Sequence, residues 1–518
     1  MKKIILGFII SLIALYLPAQ NENISNGQYF DGEPYMIIDP HNGNHIVVAW
    51  MGYTVGSPFG IKVKVSNDGG TSWGASTFLP HQATIFHSAD VSLAFDTAGY
   101  LWACYIDFSE APDSGAIYVV RSSDGGTTWG TPSKVMDAFD DGAQIPIDRP
   151  WFTINPVTNH FYVTSKPAPW ILPPCRPYFR TSANAGATWA PWRYIDTAGF
   201  LVGSLISAPM AAPAVGSDGV FHCVYPSYLS SQNILPGYIH ASSANDGVSF
   251  SYHGKYMLTT ASTDTLPKVG YNLAVDPSNP QHLAFNFTAK LQHNDLDIWV
   301  DQSTDGGSTW TTPVRVNDDP VNNGVMQDLT WSHFDVNGDL IVGWRDRRDA
   351  PAPDTGYSVP SEIWGAILRK DSANFSHNFK ISDTLAQFNG TYLDHPGNDF
   401  MNIALHNDTV YAVWGDVRTN VLSVWFYKKG ASSALSTGIL LTDDAIPAVS
   451  VYPNPTKDVL YISGEKVTEV EITDMTGKKV YDQRINEQKV SITSLTSGTY
   501  MIRLITSHGI ATQRFVKD

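Results

Sequence analysis

The chain has 518 residues, 43% of them hydrophobic and only 16% charged, which excludes a disordered protein and is too long for one ordinary core. A formal net charge of −16 argues against nucleic acid and anionic membrane surfaces as partners. The three cysteines, Cys104, Cys175 and Cys223, cannot all pair and show no zinc-type spacing; the many Asp residues suit Ca²⁺ but no EF-type loop occurs, so no metal site and no cofactor are assigned.

Residues 1–20 read as a signal peptide. Lys2 and Lys3 form the basic end, Ile4 to Leu17 the apolar stretch, and Pro18-Ala19-Gln20 the cut region. The apolar run is short for a membrane span and no second one follows, so the mature chain is expected to have no transmembrane segment.

Residues 21–430 are organised as repeats. Each begins with an apolar strand closed by Asp or Asn, followed by a second apolar strand ending in or near an aromatic. Tyr35–Asp39 leads to His45–Trp50, Val91–Asp96 to Leu101–Tyr105, and the pattern returns up to Met401–Leu405 and Thr409–Trp414, giving seven units. Five units also carry Ser-x-Asp-x-Gly-x-x-Trp or a close variant. The third residue of this motif is Asp68, Asp124, Asn184, Asn245 and Asp305, at intervals of 56 to 61 residues. Ser and Asp bond the backbone of a tight turn, Gly supplies the positive φ, and Trp buries a large apolar face between sheets. The motif is therefore structural.

This is the Asp-box, and residues 30–430 resemble sialidase-like propellers. The resemblance implies an all-β fold in which four-stranded blades close into a ring. The repeat count predicts seven blades, with the six of known sialidases as the alternative, and a strand from Asn26–Phe30 is expected to complete the last one. Residues 431–450 read as a Ser/Thr/Ala-rich linker. From Val451 the chain opens with Tyr452-Pro-Asn-Pro455 and continues through Gly498-Thr-Tyr500 to Lys517. Residues 451–518 are similar to the type A C-terminal sorting domain of the type IX secretion system, expected as a small β-sandwich. The resemblance implies handling by that secretion machinery and a secreted or cell-surface protein.

In such a fold the Asp-box turns lie on one rim and the loops entering each first strand lie on the other. Counting six residues back from the closing Asp or Asn gives Glu33, Asp90, Arg149, Gly270 and Leu329 (beside Asp328), with Asp399 at about the same height in the seventh unit. Glu33, Asp90 and Asp399 are the candidate catalytic carboxylates, since paired carboxylates separate their pKa values and can act as acid and base. Arg149, Asp148, His87, Asp328, Arg345, His395 and Trp170 are candidate substrate-binding residues. An ion pair of Arg149 with Asp148 or Asp90 that merely locks the blades is the competing reading. The Trp-x-Asp-x-Arg spacing appears twice, in Trp344–Arg348 and Trp414–Arg418, and reads as a structural clasp, whereas Arg345 and Arg348 are taken as ligand candidates.

The functional expectation is a glycoside hydrolase or related enzyme acting on an extracellular glycan or glycoprotein. Sialidases carry Arg-Ile-Pro in the first blade, where this chain has Gly32-Glu33-Pro34-Tyr35. That departure keeps a non-catalytic glycan- or protein-binding propeller as the alternative.

Overall fold

A computed structural model describes residues 21–437 and 449–518, apart from 28, 110–113, 143, 169, 202–208, 230–233, 258–269, 292–294, 352–358, 389–397, 475–477 and 507–508. The signal-peptide reading lies outside the described residues. The chain divides into two units, residues 1–438 and 439–518.

Among the described residues the first unit holds seven four-stranded antiparallel sheets. In sheets one to six, four consecutive strands follow one another, the innermost being Asp31–Asp39, His87–Phe95, Asp148–Ile154, Ala212–Val215, Tyr271–Val275 and Gln327–Phe334. Sheet seven takes three strands from Asn402–His406, Thr409–Asp416 and Ser423–Gly430. Its fourth is Glu22–Asn23, paired as Glu22 with Phe426 and Asn23 with Trp425. The closing strand therefore lies before Asn26–Phe30, the segment expected from sequence, whose Phe30 forms a single bridge to Leu422. Asn21 fastens the strand. Its backbone N–H donates to Asp383 Oδ2 at 2.9 Å and its side-chain amide to the Ile381 carbonyl at 2.9 Å, while its Oδ1 accepts from the Asp383 N–H at 2.7 Å.

Each sheet shares a buried apolar cluster with the next. Val47 and Leu101 join sheets one and two, Cys104 and Phe161 join two and three, and Phe179 and Cys223 join three and four. Val224 with Phe285, Val300 with Val342, and Ile367 with Ile403 carry the series on to sheet seven. Ile46, Val48 and Trp50 of sheet one then pack with Val413, Val424 and Phe426 of sheet seven.

The Asp-box turns seat on these seams. In the first, Ser66 Oγ donates to Asp68 Oδ1 at 2.8 Å and accepts from Gly70 N–H at 2.8 Å, while Asp68 Oδ1 also accepts from the N–H groups of Thr71 and Ser72. Asn184 and Asn245 take the same role in their turns. Trp73 meets Phe426 of sheet seven edge-on at 5.0 Å, and Trp310 meets His240 of sheet four at 5.4 Å, so these turns lean on the preceding sheet.

Ala431–Thr437 is a short helix with Ala431 and Ala434 fully buried in the core of sheets six and seven, so the part of the expected linker that begins at residue 431 belongs to the folded body. The second unit has a three-stranded sheet (Val449–Tyr452, Val459–Gly464, Lys489–Ser491) and a four-stranded one (Lys479–Arg484, Val467–Asp474, Gly498–Thr506, Gly509–Lys517). Leu460, Ile462 and Val490 of the first share one core with Val470, Ile472, Ile502, Leu504 and Phe515 of the second. Among the described residues no helix is long and apolar enough to cross a membrane.

Candidate functional site

The innermost strands of sheets one, two, three and six share a backbone irregularity. The register with the second strand shifts between Gly32 and Tyr35, Ala89 and Ser92, Asp148 and Trp151, and Asp328 and Trp331. The residues at these bulges are Glu33, Asp90, Arg149 and Leu329, all left-handed, with φ of 55°, 53°, 49° and 53°. Side chains with a Cβ disfavour that region by roughly 1 kcal/mol or more. A bulge re-aims the side chain that it carries; Glu33 and Asp90 act on Arg149, whereas Leu329 packs into the core of sheets six and seven. These are the positions that the six-residue count predicts. Ser66 pairs with Ile46 at the far end of its sheet, whereas Gly32 pairs with Met51, so the Asp-box turns and the bulges stand at opposite ends.

Arg149 is the centre of the site. Its guanidinium forms an ion pair with Asp399, which comes from the chain entering sheet seven. Its backbone N–H donates to Asp90 Oδ2 at 3.3 Å, and the guanidinium lies over the Phe400 ring at 4.9 Å. Burial works against the charge on Arg149, but the carboxylates of Asp399, Asp148, Asp90 and Glu33 outweigh it and hold the group firmly protonated. Asp90 is pushed up to about 7, by burial first and then by the adjacent Asp148 carboxyl, with Arg149 only partly opposing. Asp148 is ion-paired to Lys166, whose side chain is fully buried. Glu33, Asp90, Asp148, Arg149 and Asp399 are thus brought together, and the partner of Arg149 is Asp399 rather than the Asp148 or Asp90 expected for a simple lock.

The remaining candidates fall elsewhere. Asp328 receives Arg345 (Nε to Oδ1, 2.7 Å) and Arg347 (Nη1 to Oδ1, 3.1 Å), all three buried. Burial would raise the Asp328 carboxyl, but the two guanidinium groups hold it well below the usual carboxylate range. Arg345 is therefore committed to a buried ion pair. Arg348, expected as a ligand group, instead closes the clasp: Trp344 Nε1 donates to Asp346 Oδ2 at 2.7 Å, and Arg348 Nη2 binds the same oxygen at 2.8 Å. Trp414, Asp416 and Arg418 repeat the arrangement in sheet seven. His87 Nδ1 accepts from the Phe59 N–H at 3.1 Å between the rings of Phe59 and Phe108, a packing role. Trp170 is half exposed on its proline-rich loop and makes no ring contact among the described residues. His395 lies outside the described residues.

An aromatic group that the sequence reading missed packs beside the charges. Tyr35, Trp151 and Trp331, each two residues beyond a bulge, meet with Phe400. Trp151 and Trp331 stack at 5.2 Å, and Phe400 meets Trp151 edge-on at 5.3 Å. Past these rings a cavity of about 400 Å³ runs along the innermost strands, reaching Val215, Pro277 and Phe334. The spacing was readable: residue i+2 on a strand shares a face with residue i.

Residues 450–518 match the family described as secretion system C-terminal sorting domain. The second unit is thus a sorting domain for type IX secretion, and the chain is exported, to be secreted or held at the cell surface. No curated protein is recognisably similar in sequence. Among solved structures, the chain is similar to the Hadza microbial sialidase Hz136 (16% identity, 73% of this chain and 75% of that one, TM-score 0.42). It is also similar to the GH93 α-L-arabinofuranosidase of Fusarium graminearum (10% identity, 80% and 99%, TM-score 0.42). A third similarity is to a point mutant of the NanB sialidase from Streptococcus pneumoniae (11% identity, 82% and 72%, TM-score 0.40). Similarity this distant decides neither activity nor substrate.

Proposed function

We propose that the first unit is a seven-bladed β-propeller, made by an exported precursor whose residues 1–20 are removed, and that the sorting domain is a β-sandwich. On this reading the bulge end of the ring is a glycan site, and the protein is a glycoside hydrolase or related carbohydrate-active enzyme. The observation that carries it is the convergence of Glu33, Asp90 and Asp148 on Arg149, brought to one rim by matching left-handed bulges. Asp90, protonated up to about neutral pH, gives its proton to the glycosidic oxygen as the bond to the anomeric carbon breaks. Water adds its hydroxyl to that carbon and returns its proton to the carboxyl group, with Glu33 as the second carboxylate. Asp399 acts through Arg149 and is the positioning residue.

The test is to incubate the mature chain with a panel of neutral and acidic oligosaccharides and to measure new reducing ends. Turnover by wild type that is lost in Glu33→Gln and Asp90→Asn, with the fold intact, supports the reading; absence of product sinks it. One observation favours a second reading, a binding-only site: the aromatic group of Trp151, Trp331, Tyr35 and Phe400 packs tightly beside the charges. Retention of an oligosaccharide without cleavage identifies that case.

A further inference from the structure

We infer that the ring selects neutral over anionic sugars, because the guanidinium that a sugar carboxylate would need is already engaged by Asp399. The inference rests on the reading of the bulge rim as a glycan site, and it names the substrate class of that site.

Among the described residues, the cationic side chains at or beside the bulges named above each have a carboxylate partner: Arg149 with Asp399, Lys166 with Asp148, and both Arg345 and Arg347 with Asp328. A sugar carboxylate seeking the two-pronged contact of a guanidinium would have to displace one of these partners. Displacing Asp399, which is 6% exposed, would leave a buried carboxylate without its counter-charge, an arrangement strongly disfavoured in a protein interior. The incoming anion would also face the Glu33 carboxylate, whose charge acts on the same guanidinium. Like charges brought together suppress the wrong partner.

A neutral sugar meets the opposite situation. Its hydroxyl hydrogens suit carboxylate acceptors, and its oxygens suit donors. Arg149 Nη1 is such a donor: it is buried and makes no hydrogen bond. A sugar oxygen admitted to it would satisfy a polar group that is otherwise costly to leave without a partner, without disturbing the ion pair through Nη2. Sites that hydrogen-bond uncharged hydroxyl groups discriminate by leaving their own polar atoms unpaired when the wrong ligand enters.

The experiment uses the full mature chain and matched pairs of oligosaccharides differing in carboxylate content: lactose with 3′-sialyllactose, and galactobiose with digalacturonic acid, immobilised on an array and confirmed by calorimetry. In each pair that binds, the neutral member is expected to be held at least tenfold more tightly. Asp399→Asn, which releases the Arg149 guanidinium, is expected to narrow that ratio by about tenfold. The wild-type comparison stands even where the variant does not fold. Equal or tighter binding of the anionic members overturns the discrimination while leaving a glycan site in place. Failure of every pair to bind overturns the glycan reading itself.

Discussion

Asp90 is held where neither its backbone nor its charge is comfortable. Its φ is 53°, and its carboxyl is raised to about 7 in a site where burial and Asp148 both disfavour ionisation. Two consequences follow from the same shift. Activity that needs the proton on Asp90 should fall about tenfold per pH unit above roughly 7, which a pH–rate profile checks. The stability effect has the opposite sense to an ordinary salt-bridged Asp. The folded state keeps the proton to higher pH than the unfolded chain, so this group contributes a loss of stability as pH rises from about 4 to about 7. Asp90→Asn should therefore abolish turnover while raising stability at pH 7.5 by on the order of 1–2 kcal/mol, measured by urea unfolding. His222 acts on the acid side. It is buried, its Nδ1 lies 3.1 Å from His240 Nε2, and burial lowers it to about 4. Here the unfolded chain takes the proton first, so stability is lost as pH falls from about 6.5 towards 4, by about 3 kcal/mol for a shift of this size. In His222→Gln the thermal midpoint should decline less over that interval than in wild type.

At the scale of the element, the Asp-box turn is where glycine is required. Gly70 has φ of 80°, and a Cβ there would stand 2.4 Å from the Phe426 ring across the seam with sheet seven. Gly99 has φ of 82° but open space around it. Gly70→Ala should cost about 2–4 kcal/mol and Gly99→Ala about 1 kcal/mol, the difference being the clash, read by chemical denaturation. This contrast also shows what the sequence could and could not reveal. The five turns and seven strand pairs were legible because turn chemistry and alternation are local. The positions of Glu33, Asp90, Arg149 and Leu329 were legible because an irregularity at the same height leaves the count to the closing Asp or Asn unchanged; the bulges themselves were not, and the fifth sheet, where the count gives Gly270, has none among its described residues. The partner of Arg149 was not, since Asp399 is 250 residues away and no local pattern links them. Nor was the Glu22–Asn23 strand, whose two residues are too few for any period. The clasp role of Arg348 is legible in the Trp-x-Asp-x-Arg spacing that it shares with Arg418, whereas Arg345, off that face, binds Asp328.

For the whole molecule, the seam between sheets seven and one decides whether the body holds together. Ile24 is 1% exposed in that seam, and its N–H donates to the Val424 carbonyl at 3.0 Å. Removing residues 21–25 deletes this contact, the Glu22–Asn23 pairing and the Asn21 hydrogen bonds together. A chain starting at residue 26 should be less stable than one starting at 21 by at least about 3 kcal/mol, one buried Ile and several hydrogen bonds, seen as an earlier thermal unfolding transition.

Because Glu22 is claimed by Phe426, some four hundred residues later, the body cannot mature in the order of its synthesis. A nascent chain that has not reached sheet seven carries an orphaned leading strand and leaves the face of sheet one formed by Ile46, Val48 and Trp50 uncovered, an adhesive apolar surface for other polypeptides. A stop that falls before sheet seven is then as damaging late as early, and a fragment lacking only that sheet is expected to precipitate or be degraded rather than persist as a smaller folded body.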